Sequence, residues 1–209
     1  MINIDVFSDP VCPWCYIGKE NLDRALESRP DHRIVIAWHP FQLNPDMPPE
    51  GVDRRAYLEA KFGGGERATQ IYARVEEAAR GAGLTIDFAT IPRVPNTMNA
   101  HRLIHWAGLE GRQTVMVSAL FRAYWREGLD IGDPVVLASL AAQAGLNPEA
   151  VARLLSTDAD IDDLRARDTH ARERGVNAVP TFVVANTYVV AGAQSPHRWE
   201  QIIAELSTV

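Results

Sequence analysis

Cys12-Pro13-Trp14-Cys15 lies near the start of this 209-residue chain, between a predicted strand and a predicted helix. Before it, apolar and polar residues alternate over residues 2–7, which predicts a β-strand. After it, residues 13–27 form a rough apolar face at helical spacing, and residues 33–38 predict a second strand. The two cysteines therefore lie at the strand-to-helix junction of a β–α–β unit.

The middle of the chain is predicted to be helical. A turn-rich linker follows Phe41, and helix start and stop signals then predict six or seven helices and no convincing strand. Asp133-Pro134 and Asn147-Pro148 are two of the start signals, each an N-cap residue followed by proline. We therefore predict that residues 42–174 form an inserted helical domain.

The last section returns to alternating hydrophobicity. Residues 181–185 and 188–191 predict a hairpin that turns at Asn186-Thr187. A final helix is predicted from Pro196 through Leu206, with Ser195 as its N-cap. Residues 1–41 and 175–209 are thus predicted to form one discontinuous sheet domain, which makes the fold class α/β.

Composition and charge argue against several classes of protein. The net charge is −6 and the pI is about 5.5, which disfavours a nucleic-acid or an anionic-membrane partner. No apolar run approaches the length of a membrane-spanning helix. The start of the chain lacks the basic and apolar regions of a signal peptide, so we expect a cytoplasmic protein. The chain has only two cysteines, which suggests chemistry rather than disulfide stapling.

A cysteine pair at a helix start has a direct chemical logic. The free N–H groups and partial positive charge of the helix N-terminus stabilise a thiolate at Cys12. That thiolate would attack a disulfide, and Cys15, one turn further along, would resolve the mixed disulfide. Pro13 suits the first helical position because its missing N–H is no loss there. Trp14 adds an uncharged contact surface for a substrate.

Two other interpretations of the cysteines stay open at this stage. They could be buried and inert, with only a packing role. They could also be half of a zinc site, because His101 and His105 are spaced four residues apart on a predicted helix. The pairs are about 85 residues apart, which is far beyond zinc-finger spacing. We therefore predict no metal.

Several segments together resemble the FrnE-like branch of the DsbA family, within the thioredoxin superfamily. The resemblance extends from end to end of the chain and implies a thioredoxin fold with a large all-helical insertion. The segments that carry it are Phe7-Ser8-Asp9-Pro10-Val11-Cys12, Trp38-His39-Pro40-Phe41-Gln42-Leu43-Asn44-Pro45, Asn96-Thr97-Met98-Asn99-Ala100-His101-Arg102-Leu103, Tyr124-Trp125-Arg126-Glu127-Gly128, Val179-Pro180-Thr181 and Gly192-Ala193-Gln194.

The resemblance also implies roles for a loop far from the cysteines in sequence. Pro180 is expected to be the cis-proline of the thioredoxin fold. The backbone of Val179 would then be free to pair with a substrate peptide or with glutathione, and its side chain would lie against the cysteine pair. Relatives also include the 2-hydroxychromene-2-carboxylate isomerases and the kappa-class glutathione transferases. These typically carry a serine where this chain has Cys12.

Four further residues are candidates for substrate contact, each with a structural alternative. The resemblance places the helix of His101 across the cleft from the cysteines, so His101 is a candidate proton relay or substrate contact, with a surface helix residue as the alternative. Asn44 and Asn96 would hydrogen-bond a substrate, or form turns and caps. Gln194 lies at the junction before the last helix. Glutathione-binding relatives hold the γ-glutamyl carboxylate at this junction, so Gln194 is a candidate contact. The alternative is a purely structural junction in which Ser195 caps the helix.

Other residues near these segments are interpreted structurally. Phe121, Tyr124 and Trp125 are expected in the helical core, with lining of an apolar cleft as the alternative. Arg102 could hold a carboxylate, although such an arginine is more often solvated or paired.

Three functions are compatible with the sequence. The first is an enzyme for thiol–disulfide exchange on a protein or small-molecule substrate, with no required cofactor. The second is a glutathione-dependent isomerase or transferase. The third is a redox-sensing binding protein or holdase. Glutathione is a candidate co-substrate, and the resemblance makes a homodimer a candidate assembly.

Overall fold

The computed structural model describes residues 1–206. Its main sheet has four strands in the order β2-β1-β5-β6. The central strand β1 runs parallel to β2 and antiparallel to β5, and β5 pairs antiparallel with β6. The bounds are β1 (Ile2–Ser8), β2 (Ile34–Pro40), β5 (Thr181–Val184) and β6 (Tyr188–Ala191). The strands thus come from both ends of the chain.

Helices make up most of the remaining residues that the structure describes. They are α1 (Pro13–Glu27), α2 (Arg54–Phe62), α3 (Gly65–Gly81), α4 (Met98–Leu109), α5 (Gln113–Trp125), α6 (Pro134–Gln143), α7 (Pro148–Leu155), α8 (Ile161–Glu173) and α9 (Pro196–Leu206). A 3₁₀ turn spans Phe88–Thr90. The predicted starts of α6, α7 and α9 are confirmed, because Asp133, Asn147 and Ser195 each accept a hydrogen bond from an amide in the first turn.

The prediction of no strand in the insertion is wrong in one place. Val52–Asp53 (β3) and Arg93–Val94 (β4) pair as a short antiparallel ribbon. Two-residue strands are too short to produce an alternating pattern, so the sequence carried no signal for them. The boundaries of the inserted domain at residues 42 and 174 stay a prediction.

The two faces of the main sheet differ. Ile4 and Val6 on β1 are buried and belong to the core cluster that also holds Leu22 of α1 and Trp199 of α9. The α9 ring of Trp199 packs edge-on against Phe182 of β5, with centroids 4.8 Å apart. The opposite face, which includes Asp5 and Phe7 of β1, lies toward α8. No helix within residues 1–206 is long and apolar enough to cross a membrane.

Gln113 joins the helical insertion to the edge of the sheet. Its side-chain oxygen accepts from the Trp38 amide at 2.9 Å, and its side-chain nitrogen donates to the Trp38 carbonyl at 3.1 Å. The indole nitrogen of Trp38 also donates to the Thr114 hydroxyl at 3.0 Å. One side-chain amide therefore pairs with the edge strand β2 as a neighbouring strand would, which helps to satisfy that edge.

The β5–β6 hairpin turns one residue earlier than predicted. Ala185 and Asn186 are the central residues, with φ of 51° and 57°, and the Thr187 amide donates to the Val184 carbonyl. In a two-residue hairpin loop, two positive φ angles give the turn a twist that matches the right-handed twist of the flanking strands. The turn thus places an alanine where asparagine, aspartate or glycine is usual.

We expect Ala185→Gly to stabilise the protein by about 1 kcal/mol, because the alanine Cβ is strained at positive φ and glycine is not. Urea unfolding followed by circular dichroism measures the change. Ala138→Gly, in the middle of α6, is the control and should destabilise by about 1 kcal/mol. A loss of stability in Ala185→Gly would contradict this account of the turn.

Candidate active site

The two cysteines lie together at the start of α1. Cys12 is the residue immediately before the helix and Pro13 is its first residue. The thiol of Cys12 points at the Val179 carbonyl, with the sulfur 3.6 Å from the oxygen. Both cysteines are free thiols, and they are 3% and 1% exposed. Trp14 between them is 39% exposed, so its ring is available for contact with a substrate.

The Val179–Pro180 peptide bond is cis, as the resemblance implies. Neighbouring hydrogen bonds hold this loop: the Gly192 amide donates to the Pro180 carbonyl at 2.8 Å, and the Thr181 hydroxyl donates to the Ala178 carbonyl at 2.7 Å. The group of Val179 that meets Cys12 is its backbone carbonyl, and contact of its side chain with the cysteine pair stays a prediction. Pairing of this backbone with a substrate stays a prediction.

Gly18 lets α1 approach the proline loop closely. A Cβ at this position would lie 3.1 Å from Cγ of Pro180 and 3.4 Å from the ring of Phe182. We expect Gly18→Val to destabilise the protein by about 2 kcal/mol, because the added methyl groups overpack this contact. It should also slow disulfide exchange, since the proline loop must shift relative to the cysteines.

Gly81→Val is the matched control for that prediction, because Gly81 ends α3 and a Cβ there meets nothing within 4 Å. Its stability should stay within about 0.5 kcal/mol of wild type, as for most surface changes. Thermal unfolding and a disulfide-reduction assay measure both effects. Equal stability of the two variants would contradict the prediction, because it would mean that the loop around Pro180 can move away from α1 without a cost in stability.

The two thiols have different surroundings. Burial raises the pKa of Cys15 well above its usual value, and the hydrogen bond and charge of the adjacent Cys12 raise it further. The Asp9 backbone and the Ser8 side chain hydrogen-bond Cys15 and act in the opposite direction. Cys15 is therefore held as a neutral thiol inside the first turn of α1, whereas Cys12 lies at the N-terminus of the helix.

Asp9 is a site residue that sequence reasoning missed. It is fully buried, and its carbonyl accepts from the Cys12 amide at 2.9 Å. Its carboxyl accepts from the Leu43 amide at 2.7 Å and the Val11 amide at 3.3 Å. Burial raises the pKa of Asp9 to about 7 in spite of these bonds. In the sequence, Asp9 stood out only as part of the segment Phe7-Ser8-Asp9-Pro10-Val11-Cys12 that carries the resemblance, and no role was assigned to it.

His101 lies on α4, behind the cysteine loop. It is 3% exposed, so the alternative of a surface residue is wrong. Its Nε2 lies 3.9 Å from the Asp9 carboxyl and has no hydrogen-bond partner within residues 1–206. Burial, followed by the nearby Arg167 guanidinium, lowers the pKa of His101 to about 3. His101 therefore faces Asp9 as a neutral ring, and a proton-relay role stays a prediction.

The two asparagines are engaged in the linker that follows β2. The side-chain oxygen of Asn44 accepts from the Tyr57 hydroxyl, and its carbonyl accepts from the Met47 amide. The side chain of Asn96 donates to the Met47 carbonyl at 2.6 Å and accepts from the Met98 amide at 2.9 Å. The structure thus shows the turn-forming alternative, and contact of either residue with a substrate stays a prediction.

Gln194 lies between β6 and α9. Its side-chain amide donates to the Ala191 carbonyl at 2.7 Å, and its own carbonyl accepts from the Asn21 side chain of α1 at 2.8 Å. These bonds fix the last loop against α1. Contact of Gln194 with a bound carboxylate stays a prediction.

The helical core forms the back of the site. Phe121, Tyr124 and Trp125 are all buried, as expected. The indole nitrogen of Trp125 donates to the Pro10 carbonyl at 3.0 Å, which anchors the cysteine loop to α5. Among the residues that the structure describes, no group of three or more His, Cys, Asp or Glu side chains could hold a metal ion.

A cysteine pair at the start of α1, opposite a cis-proline loop on a β2-β1-β5-β6 sheet, defines a protein of the thioredoxin-fold class. The chain belongs to the DSBA-like thioredoxin domain family, whose model matches residues 3–204. This family contains thioredoxin-fold oxidoreductases.

Solved structures agree with this assignment. A probable DsbA oxidoreductase from Streptomyces coelicolor is 28% identical, with a TM-score of 0.89 over 100% of this chain and 91% of that one. A 2-hydroxychromene-2-carboxylate isomerase is 17% identical, with a TM-score of 0.73 over 99% of this chain and 95% of that one. The cytosolic disulfide reductase DsbM from Pseudomonas aeruginosa, solved with GSH, is 20% identical, with a TM-score of 0.71 over 99% of this chain and 100% of that one.

Proposed function

We propose that this protein is a thiol–disulfide oxidoreductase of the FrnE-like type, with Cys12 as the nucleophile and Cys15 as the resolving thiol. The observation that carries the proposal is the asymmetry of the pair. Both thiols are buried, but Cys12 lies at the N-terminus of α1 and meets the Val179 carbonyl, whereas burial and the neighbouring Cys12 raise the pKa of Cys15. That asymmetry suits a mechanism in which the sulfur of Cys12 attacks the substrate and the sulfur of Cys15 later resolves the mixed disulfide.

The proposed reaction transfers two electrons. The Cys12 thiolate attacks a substrate disulfide, so a sulfur–sulfur bond forms to Cys12 and one substrate thiolate leaves. Cys15 then loses its proton and attacks Cys12, which releases the second substrate thiolate. The substrate disulfide is reduced to two thiols, and the protein pair is oxidised to a disulfide. The same steps in reverse oxidise a substrate dithiol.

A trapping experiment tests the proposal. With Cys15→Ala, a disulfide substrate should accumulate as a mixed disulfide on Cys12, which intact-protein mass spectrometry detects. With Cys12→Ala, no adduct should form on Cys15, because burial raises the pKa of that thiol well above its usual value and leaves little thiolate to attack. Equal adduct yields on the two variants would reject the assignment of roles. Activity that survives Cys12→Ala would reject the exchange function itself.

Glutathione is a candidate co-substrate, because a structural neighbour was solved with GSH. A glutathione-dependent isomerase or transferase on this scaffold is the second candidate function, and the isomerase neighbour favours it. The same Cys15→Ala variant separates the two functions. Exchange requires turnover through Cys15, whereas glutathione-dependent isomerisation would survive its loss. A holdase would suppress aggregation without either cysteine.

We further propose a cytoplasmic location and substrates that are protein or small-molecule thiols and disulfides. The cytosolic DsbM neighbour supports the location. A homodimer is also proposed, and sedimentation of the pure protein tests it.

A further inference from the structure

A cavity of about 920 Å³ lies on the face of the sheet opposite α1 and α9, between α8 and strands β5 and β6. Phe7, Val183 and Val189 contribute apolar walls from the strands, and Ala171 contributes one from α8. A volume of this size with apolar walls is typical of small-molecule sites, which usually hold about 300–1,000 Å³.

Basic side chains surround the opening of this cavity. Arg167 and His170 lie on α8, and Arg174 is the C-cap residue that follows this helix, at spacings of three and four residues. Asp5 is the only acidic residue among the described residues of the lining, and its carboxylate already meets His39 Nε2 at 2.7 Å. The lining is therefore cationic, although the whole chain carries a net charge of −6.

Two of these basic groups have no acidic partner within the part of the chain that the structure describes. Arg167 lies 3.7 Å from the Asp163 carboxylate and 3.3 Å from the His105 ring. For Arg174 and His170, no carboxylate of residues 1–206 lies within ion-pair distance. An arginine presents several donors in a planar fork that suits a carboxylate or sulfonate. The opening thus offers an anion-binding group beside an apolar cavity.

The cavity is separate from the cysteine pair. Its β1 residues, Asp5 and Phe7, alternate with Ile4 and Val6, which face the core on the α1 side. Asn177 in its lining precedes Val179, whose carbonyl meets Cys12, by only two residues. The two sites therefore lie on opposite faces of the sheet and share the loop that leads to Pro180.

We propose that this cavity is a second binding site, for a small amphipathic organic anion. Its apolar body would lie against Phe7, Val183 and Val189, and its carboxylate or sulfonate would meet Arg174 at the opening. The site requires neither cysteine.

The probe 8-anilino-1-naphthalenesulfonate tests the proposal, because it combines two apolar ring systems with one sulfonate and fluoresces when bound. We expect one probe molecule to bind per chain. Arg174→Glu should weaken binding about tenfold, the usual size of a lost charge-assisted hydrogen bond. Arg165→Glu is the matched control, since Arg165 lies on α8 outside the lining and the charge change is equal. It should leave affinity within about twofold of wild type.

A second pair of variants locates the probe. Val189→Asp places a carboxylate in the cavity wall and should abolish binding, whereas Val135→Asp, on the exposed surface of α6, should not. Both positions are exposed, so neither variant threatens folding. The neutral analogue N-phenyl-1-naphthylamine should bind about tenfold more weakly than the sulfonate.

Three results would overturn the proposal. The first is equal affinity of Arg174→Glu and Arg165→Glu for the probe. The second is binding of the neutral analogue as tightly as the sulfonate. The third is a dimer in sedimentation that Arg174→Glu dissociates, which would assign this face to a second copy of the chain. Unchanged probe binding in Cys12→Ala would support a site independent of disulfide exchange.

Discussion

The Asp9→Asn and His101→Gln variants are expected to change the pH dependence of stability in opposite directions. Burial raises the pKa of Asp9 from 3.8 to about 7, so between these values the folded protein binds the extra proton. The Asp9 contribution to stability therefore grows as the pH falls from 7 to 4. Asp9→Asn lacks this gain and should lose stability relative to wild type over that range, by about 1.4 kcal/mol per pH unit.

His101 contributes with the opposite sign. Burial lowers its pKa from 6.5 to about 3, so between these values the unfolded chain binds the extra proton. Wild-type stability is therefore lost as the pH falls from 6.5 to 3. His101→Gln should gain stability relative to wild type over that range, again by about 1.4 kcal/mol per pH unit. In the wild-type protein the two contributions nearly cancel between about pH 4 and 6.5.

Urea unfolding at half-unit steps of pH measures these slopes. The double variant Asp9→Asn/His101→Gln is the control, and its difference from wild type should be nearly independent of pH. Charged groups on α8 face both residues, because Asp168 raises the pKa of Asp9 and Arg167 lowers that of His101. Slopes of the reverse sign in the single variants would mean that Asp9 and His101 form a charged ion pair.

Replacing Arg102 with methionine is expected to destabilise the protein by about 4 kcal/mol, the usual result of removing a buried charged donor from its acceptors. Arg102 is 1% exposed on α4. Its guanidinium donates to the carbonyls of Leu154, Thr157 and Ala159 at 2.7–2.8 Å, where α7 ends and the chain turns toward α8. Methionine fills a similar volume but leaves these three carbonyls without a donor.

Urea unfolding again measures the effect. Arg102→Lys should lose roughly half as much stability. The carbonyls are arranged around a planar guanidinium, and a single ammonium group can bond some of them but not all three. Arg165→Met, on the exposed surface of α8, is the control and should stay within about 0.5 kcal/mol of wild type. A cost below about 1 kcal/mol for Arg102→Met would mean that water satisfies these carbonyls.

Local signals determined the parts of the structure that depend on neighbouring residues. The strand before Cys12, the helix from Pro13 to Glu27 and the caps at Asp133 and Asn147 follow from periodicity and capping chemistry, which act over a few residues. The hairpin was located to within one residue. The central turn pair was misplaced because Ala185 at positive φ has no sequence signature.

The cysteine pair likewise stood out from the sequence, because its spacing and its place before a helix carry their own chemistry. The Val179–Pro180 loop came only through resemblance, since no local rule connects it to a motif some 165 residues earlier. The tertiary structure alone decided the roles of Asp9, His101 and Arg102. Each is polar, and polar residues are usually exposed, yet each is buried against residues from distant segments of the chain. Burial and long-range partners set pKa values and the energetic importance of a side chain, and neither is encoded in the residues next to it.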